Sequence, residues 1–194
     1  MELLKNHTNN YLEAGCDEVG RGCLCGPVVA AAVILNKNFK QNSVNDSKLL
    51  TFKKRLELDD YIKNNSLDFA IAEISSTIID EENILNASIS AMHKALNNLK
   101  QKPEFIIVDG NKFRSYQNIP HECIIKGDQK YLSIAAASIL AKNYRDQLMI
   151  NLHEEFPQYG WNKNMGYATK FHREALIKFG PTIHHRKSFR LIFD

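Results

Sequence analysis

Apolar residues fall into two kinds of run along this chain. Val28 to Leu35 is unbroken, and Pro27 to Leu35 reads as a strand buried on both faces. Leu12 to Asp17 reads as a strand preceding it. Phe69 to Ile74 alternates apolar with small or polar residues, which predicts a third strand. Phe105 to Val108 and Cys123 to Ile125 are shorter buried runs. Between the runs the period lengthens to that of a helix. Thr51 is placed to cap a helix through about Lys63. Ile84, Ala87, Ala91, Met92, Ala95, Leu96 and Leu99 make one apolar face, after an acidic start at Asp80-Glu81-Glu82 that suits the helix dipole. Leu132, Ala135, Ala136, Ile139 and Leu140 make another, on a helix that runs to about Glu155 and stops at Pro157. Its small residues let it lie close to a sheet. Thr169 to Phe179 predicts one more helix, closed by Gly180-Pro181. Hairpin-like strands followed by alternating strands and helices predict an α/β fold, a mixed sheet with helices packed on its faces.

The length of 194 residues predicts a single domain over 1–194, with about 158–194 as a helical or loop appendage. The N-terminus has no apolar signal core, and Val28–Leu35 is too short to span a bilayer, so a cytoplasmic protein without a membrane partner is expected. Cys16, Cys23, Cys25 and Cys123 form neither a paired framework nor a zinc knuckle, and read as reduced, partly buried thiols. The net charge of +3 says little, but its distribution says more. Residues 161–194 carry seven Lys or Arg against two acids, whereas the first 160 carry 18 against 20. A basic segment beside an acidic site is what a polyanion-cleaving enzyme needs, although a solvated basic helix face is about as common.

The acidic site is marked by Gly15-Cys16-Asp17-Glu18-Val19-Gly20-Arg21-Gly22. Neighbouring side chains on a strand point to opposite faces, so Asp17 and Glu18 can share an ion only if the strand ends or bends there. Gly20 and Gly22 supply that freedom and leave bare amides for a sugar or phosphate. Arg21 adds a planar cation. Asp109 follows the run Phe105–Val108 and precedes Gly110: it is either a turn residue or a carboxylate at the end of a buried strand. Asp128 follows Cys123–Ile125 and reads either as a helix cap or as a further carboxylate. If these strands are neighbours, four carboxylates converge, and such crowding calls for cations. Oxygen ligands without Cys or His favour Mg²⁺ or Mn²⁺, and two such ions could drive an in-line displacement at a phosphodiester.

Eight ordered blocks then carry a resemblance. They are Asp17–Gly22, Asn45-Asp46-Ser47-Lys48, Val108-Asp109-Gly110, Lys126-Gly127-Asp128, Ile134–Lys142, Phe156–Gly160, Gly166-Tyr167-Ala168-Thr169 and His185-Arg186-Lys187-Ser188-Phe189. Together they resemble the signature of bacterial ribonuclease HII. The resemblance implies a ribonuclease H-like five-stranded mixed sheet flanked by helices, with a C-terminal helical part. It implies cleavage of RNA paired to DNA, and 5′ to a single ribonucleotide embedded in duplex DNA, leaving 3′-hydroxyl and 5′-phosphate ends. Repair of misincorporated ribonucleotides and primer removal are the cellular roles it suggests. Asp17, Glu18, Asp109 and Asp128 would bind the metals. Gly20-Arg21-Gly22 would read the ribose 2′-hydroxyl, the group that separates RNA from DNA. Tyr167 would stack on the following sugar, and Lys48, Arg186 and Ser188 would hold phosphates. A core or surface tyrosine is the plain alternative for Tyr167, and a solvated side chain is the plain alternative for Lys48, Arg186 and Ser188. His184 and His185 are read as phosphate contacts or surface rather than as a general base.

The chain departs from the pattern in placing Asn164-Met165, not a basic residue, before Gly166-Tyr167. Little chain follows Ser188-Phe189, so docking to a sliding clamp is not expected. A monomer is the expected state. Two rivals remain at this level. A ribonuclease HIII-like enzyme would cut hybrids but spare single ribonucleotides. A non-catalytic nucleic-acid-binding module would have lost at least one acid.

Overall fold

The computed structural model describes residues 3–8, 11–40, 44 and 51–191. Its strands are β1 (Glu13–Val19), β2 (Val28–Leu35), β3 (Ser66–Ile74), β4 (Phe105–Asp109) and β5 (His121–Ile124). Its helices are α1 (Phe52–Asn65), α2 (Ser76–Glu82), α3 (Ile84–Asn97), α4 (Leu132–Glu155), α5 (Trp161–Asn164) and α6 (Lys170–Phe179). The strands form one sheet in the order β3-β2-β1-β4-β5. The first three are antiparallel, while β4 and β5 run parallel to β1. This is the mixed five-stranded sheet with flanking helices that the sequence predicts.

The alternation along β2 explains the two cores. Val28, Ala30, Ala32 and Ile34 face a cluster with Ala87, Ala91, Met92 and Leu96 of α3. Val29, Ala31 and Val33 face the other side, with Leu132, Ala135, Ala136, Ile139 and Leu140 of α4. Both faces are covered, so the strand needs no polar residue. A third cluster, including Leu24, Cys25, Met149, Tyr159, Trp161 and Leu176, fastens the C-terminal part to the far end of α4. At 24 residues α4 is about 36 Å long, enough to pass from the sheet to this cluster.

Thr51 caps α1 as expected, accepting from Lys54 N–H at 3.3 Å. The acids Asp80-Glu81-Glu82 do not open the long apolar helix. They end α2, and Asn83 breaks the chain at φ 68° before capping α3 through the Leu85 and Asn86 amides. The Asn83 side chain offers the acceptor the helix start needs. The four-residue α5 was not legible beforehand; it is held by the fully buried Trp161. No helix among the described residues is long and apolar enough to cross a membrane.

Gly15 on β1 sets the distance to α4. A methyl group there would lie 2.5 Å from Ile134 N and from Ser133 Oγ. Gly15→Ala is expected to lower stability by about 1–3 kcal/mol, because the opposing atoms are largely backbone and must move with the helix. Urea denaturation against the parent protein measures this, and an unchanged midpoint would contradict the tight contact.

Candidate active site

β1 outlasts its parallel neighbour. The ladder with β4 extends to the pair Cys16–Val108, whereas the ladder with β2 continues to Val19. The strand therefore neither ends nor bends at Asp17, as the sequence suggested it must; it ends at Gly20, whose φ is 93°. The two acids line one cleft all the same. The Asp17 carboxylate accepts the Glu18 N–H at 2.7 Å. Asp109, at the end of β4, joins them. Its Oδ1 accepts the Gly127 N–H at 2.6 Å. Gly127 has no spare room, since a methyl there would lie 2.6 Å from Ile134 Cδ1.

The cleft has a volume of about 470 Å³ and is lined by Asp17, Glu18, Val19, Arg55, Asp109, Ser138, Lys142 and Tyr167. Burial pushes the Asp17 carboxyl well above the usual range; the charges of Glu18 and Asp109 add to this, and a hydrogen bond from Ser138 opposes it. Burial also raises Glu18, against the pull of Arg21, whose Nη1 lies 3.1 Å from Glu18 Oε1. Arg55 and Lys142 bring positive charge to the same cleft and both pair with Asp146, Arg55 at 2.7 Å. Apart from Val19, the described lining residues are oxygen donors and these two cations, with no His or Cys among them. The donor set and its unfavourable negative crowding fit a hard divalent cation.

Asp128 is buried in a 3₁₀ turn, Gly127–Gln129, and is not among the cleft-lining residues. Nor does it cap α4, which starts at Tyr131 without a side-chain cap. Tyr167 lines the cleft and is 44% exposed. Gly20, Arg21 and Gly22 form the turn beyond β1, and the Leu24 N–H bonds Gly166 O at 2.8 Å, tying this connection to the Tyr167 segment. The Asn164-Met165 departure has a structural role. Asn164 receives the Gly166 N–H at 2.8 Å and donates to Tyr159 O at 2.7 Å, while Met165 takes a left-handed turn at φ 48°.

Three expectations are corrected or left aside. Arg186 does not face a phosphate: it is fully buried, and its guanidinium donates to the carbonyls of Gly20, Arg21 and Gly26. Burial lowers it to about 10, with Arg145 contributing, so it stays charged at neutral pH. Ser188 is exposed, but its N–H and hydroxyl both donate to Asp80, at 2.9 and 2.5 Å. Lys48 lies outside the described residues.

His185 is not a surface residue either. It is buried beside His172 and Cys25, the one group of three metal-type ligands within 4.8 Å among the described residues. Hydrogen bonds within the protein occupy the two histidines. His172 Nδ1 meets Tyr167 O at 2.9 Å and so carries the proton, leaving Nε2 to accept from Trp161 at 3.0 Å. Thr182 N–H donates to His185 Nδ1 at 2.9 Å, so His185 Nε2–H points at His172 Nε2, 3.1 Å away. All four cysteines are free thiols.

The sequence alone assigns no role to Arg55, Ser138 or Lys142. Ser138 and Lys142 are four apart on one helix and share a face, a signal that was available. Arg55 had none, since only the docking of α1 on α4 brings it to the cleft.

A mixed sheet in this strand order, with carboxylates at the carboxyl ends of adjacent parallel strands under a long helix, defines a nuclease of the ribonuclease H fold. The comparisons agree. The Ribonuclease HII family model matches residues 14–194. A protein named Ribonuclease HII from Christiangramia forsetii is 57% identical over 99% of this chain and 97% of its own. The Archaeoglobus fulgidus enzyme solved as a PCNA:RNase HII complex superposes with a TM-score of 0.78 at 27% identity, covering 94% and 97% of the two chains. Ribonuclease H2 from Pyrococcus horikoshii gives 0.78 at 24% identity, covering 92% and 94%. The chain belongs to the ribonuclease HII family, and is an endoribonuclease acting on the RNA of RNA–DNA hybrids.

The buried histidine pair makes a pH prediction. Burial, with His172 and His184 adding, lowers His185 from 6.5 to about 4. A depressed pKa means the unfolded chain takes up the proton first, so this contribution is complete above pH 6.5 and is lost as pH falls toward 4. The Tm advantage of the parent protein over His185→Gln should therefore shrink across that window. A gap that is constant with pH in thermal melts would refute it.

Proposed function

We propose that this chain cleaves 5′ to single ribonucleotides embedded in duplex DNA, as well as within RNA–DNA hybrids, and leaves 3′-hydroxyl and 5′-phosphate ends. The observation that carries the reading is that Tyr167 lines the same cleft as Asp17, Glu18 and Asp109, while the Gly20-Arg21-Gly22 turn is tied by backbone hydrogen bonding to the Tyr167 segment. A junction reader needs both elements near the scissile bond: amides for the 2′-hydroxyl and an aromatic ring for the next sugar.

Asp17, Glu18 and Asp109 are the residues to hold Mg²⁺ or Mn²⁺, with Asp128, in the turn Gly127–Gln129, as a fourth carboxylate. Two bound divalent ions would supply an activated water and charge stabilisation at the leaving oxygen. The chain's own part is positional. Ser138 holds the Asp17 carboxylate, the Gly127 amide holds Asp109, and Arg21 draws on Glu18. Lys142 and Arg55, anchored by Asp146, place positive charge where the phosphate backbone enters.

The test is a duplex with one ribonucleotide, an RNA–DNA hybrid and an all-DNA duplex, each incubated with Mg²⁺ or Mn²⁺. Cleavage of the first two and not the third is expected, with the cut 5′ to the ribonucleotide. Asp17→Asn and Asp109→Asn should each lower kcat by about 10³-fold or more, since each removes several kcal/mol of metal-dependent stabilisation. Asp128→Asn should lower it less, and an unaffected rate would remove Asp128 from the metal set. Cleavage of the hybrid alone would sink the junction reading.

A further inference from the structure

Two buried arginines beside the β1–β2 connection have partners that the functional reading does not use. Arg145, on α4, and Arg186, in the C-terminal segment, are both 0% exposed. A buried guanidinium is usually paired with a carboxylate. These two are hydrogen-bonded to main-chain carbonyls instead. Arg145 donates from Nε to Pro27 O at 3.0 Å, from Nη2 to Cys25 O at 3.1 Å and from Nη1 to Met165 O at 2.9 Å. Arg186 donates from Nη2 to Gly20 O at 2.7 Å, from Nη1 to Arg21 O at 2.9 Å, and from Nη2 and Nε to Gly26 O at 2.9 and 3.1 Å.

The acceptors belong to three pieces of chain. Gly20 and Arg21 lie on the outgoing limb of the β1–β2 connection, and Cys25, Gly26 and Pro27 on the returning limb. Met165 precedes Gly166-Tyr167. Arg186 therefore ties the outgoing limb to the returning one, and Arg145 ties the returning limb to the Tyr167 turn. Arg145 also packs directly under the turn, since a methyl on Gly20 would lie 2.2 Å from its Nε. The pull has a direction. Every described peptide bond is trans, so each N–H points opposite to the C=O of its own peptide plane. Drawing Gly20 O and Arg21 O inward turns the Arg21 and Gly22 N–H groups outward, on the side where both residues are exposed.

We propose that Arg145 and Arg186 are positioning residues that set the register between the Gly20-Arg21-Gly22 amides and Tyr167, and through it the preference for a ribonucleotide–deoxyribonucleotide junction. This rests on the junction reading above. A continuous hybrid offers ribose at every step and tolerates a shifted register; a single ribonucleotide does not. Lysine keeps the charge but lacks the planar fork that reaches several carbonyls at once.

The experiment uses Arg145→Lys, Arg186→Lys and Asp80→Ala. Asp80 is partly exposed and holds the chain just after Arg186 through the Lys187 and Ser188 amides, so its removal loosens the brace without emptying a buried site. Melting curves select the folded variants, and Asp80→Ala decides if the lysine variants do not fold. Two readouts follow. In the protein without substrate, amide hydrogen exchange in segments 20–26 and 164–168 should rise together. In activity, kcat on the single-ribonucleotide duplex should fall about tenfold or more relative to kcat on the hybrid. Exchange rising in only one segment, or equal loss on both substrates in folded variants, overturns the proposal. A parent protein that spares the embedded ribonucleotide, with coupled exchange in the variants, removes the junction reading and leaves the brace standing.

Discussion

α4 approaches β1 so closely that Gly15 has no room for a methyl group against Ile134 N. Most of the site depends on that contact. With the helix seated there, successive residues of one face meet successive features of the cleft. Ser138 bonds Asp17, Lys142 lines the cleft, Arg145 reaches the carbonyls behind the glycine turn, and Met149 packs against Gly26. The spacing is that of a helical stripe, so one rigid element carries the whole file. Alanines at 135, 136 and 137 help the helix lie close, and Ala31 of β2 packs in the same cluster.

The second organising feature is electrostatic. Three carboxylates open on one cleft, and burial raises the pKa of Asp17 and Glu18. Such a cluster is costly in the free protein and suited to cations in the working one. The fold supports it with hydrogen bonds that favour the charged forms: the Glu18 amide and Ser138 at Asp17, and Arg21 at Glu18. At Asp109 the carboxylate accepts the Gly127 N–H at 2.6 Å.

The C-terminal part contributes through packing more than through charge. Its high basic content suggested a surface for polyanions, and Lys170, Lys178 and Lys187 are indeed exposed. Yet Arg186 is buried, and His172, His185, Trp161 and Tyr159 form a closed aromatic cluster. Within it, His172 holds the Tyr167 carbonyl. The segment thus fixes the position of a cleft residue from behind.

Much of this was legible from residue order alone. The strands and long helices followed from apolar periodicity, because a side chain's burial repeats with the geometry of its own element. Asp17, Glu18 and Asp109 stood out because each sits at the end of an apolar run, and a sheet places the ends of its parallel strands together. The ordered motif blocks pointed to the family. Partnership across the chain was not legible. Arg186 reads as a phosphate contact in sequence and becomes a buried support only because Gly20, Arg21 and Gly26 turn their carbonyls toward it. Arg55 reaches the cleft only because α1 docks on α4. Asp128 fits its motif, yet it is buried in the turn Gly127–Gln129 and is not among the residues that line the cleft. Local pattern determines which face of an element is apolar; which polar groups meet is decided by how the elements pack, since hydrogen bonds and charges act over a few ångströms between residues far apart in the chain.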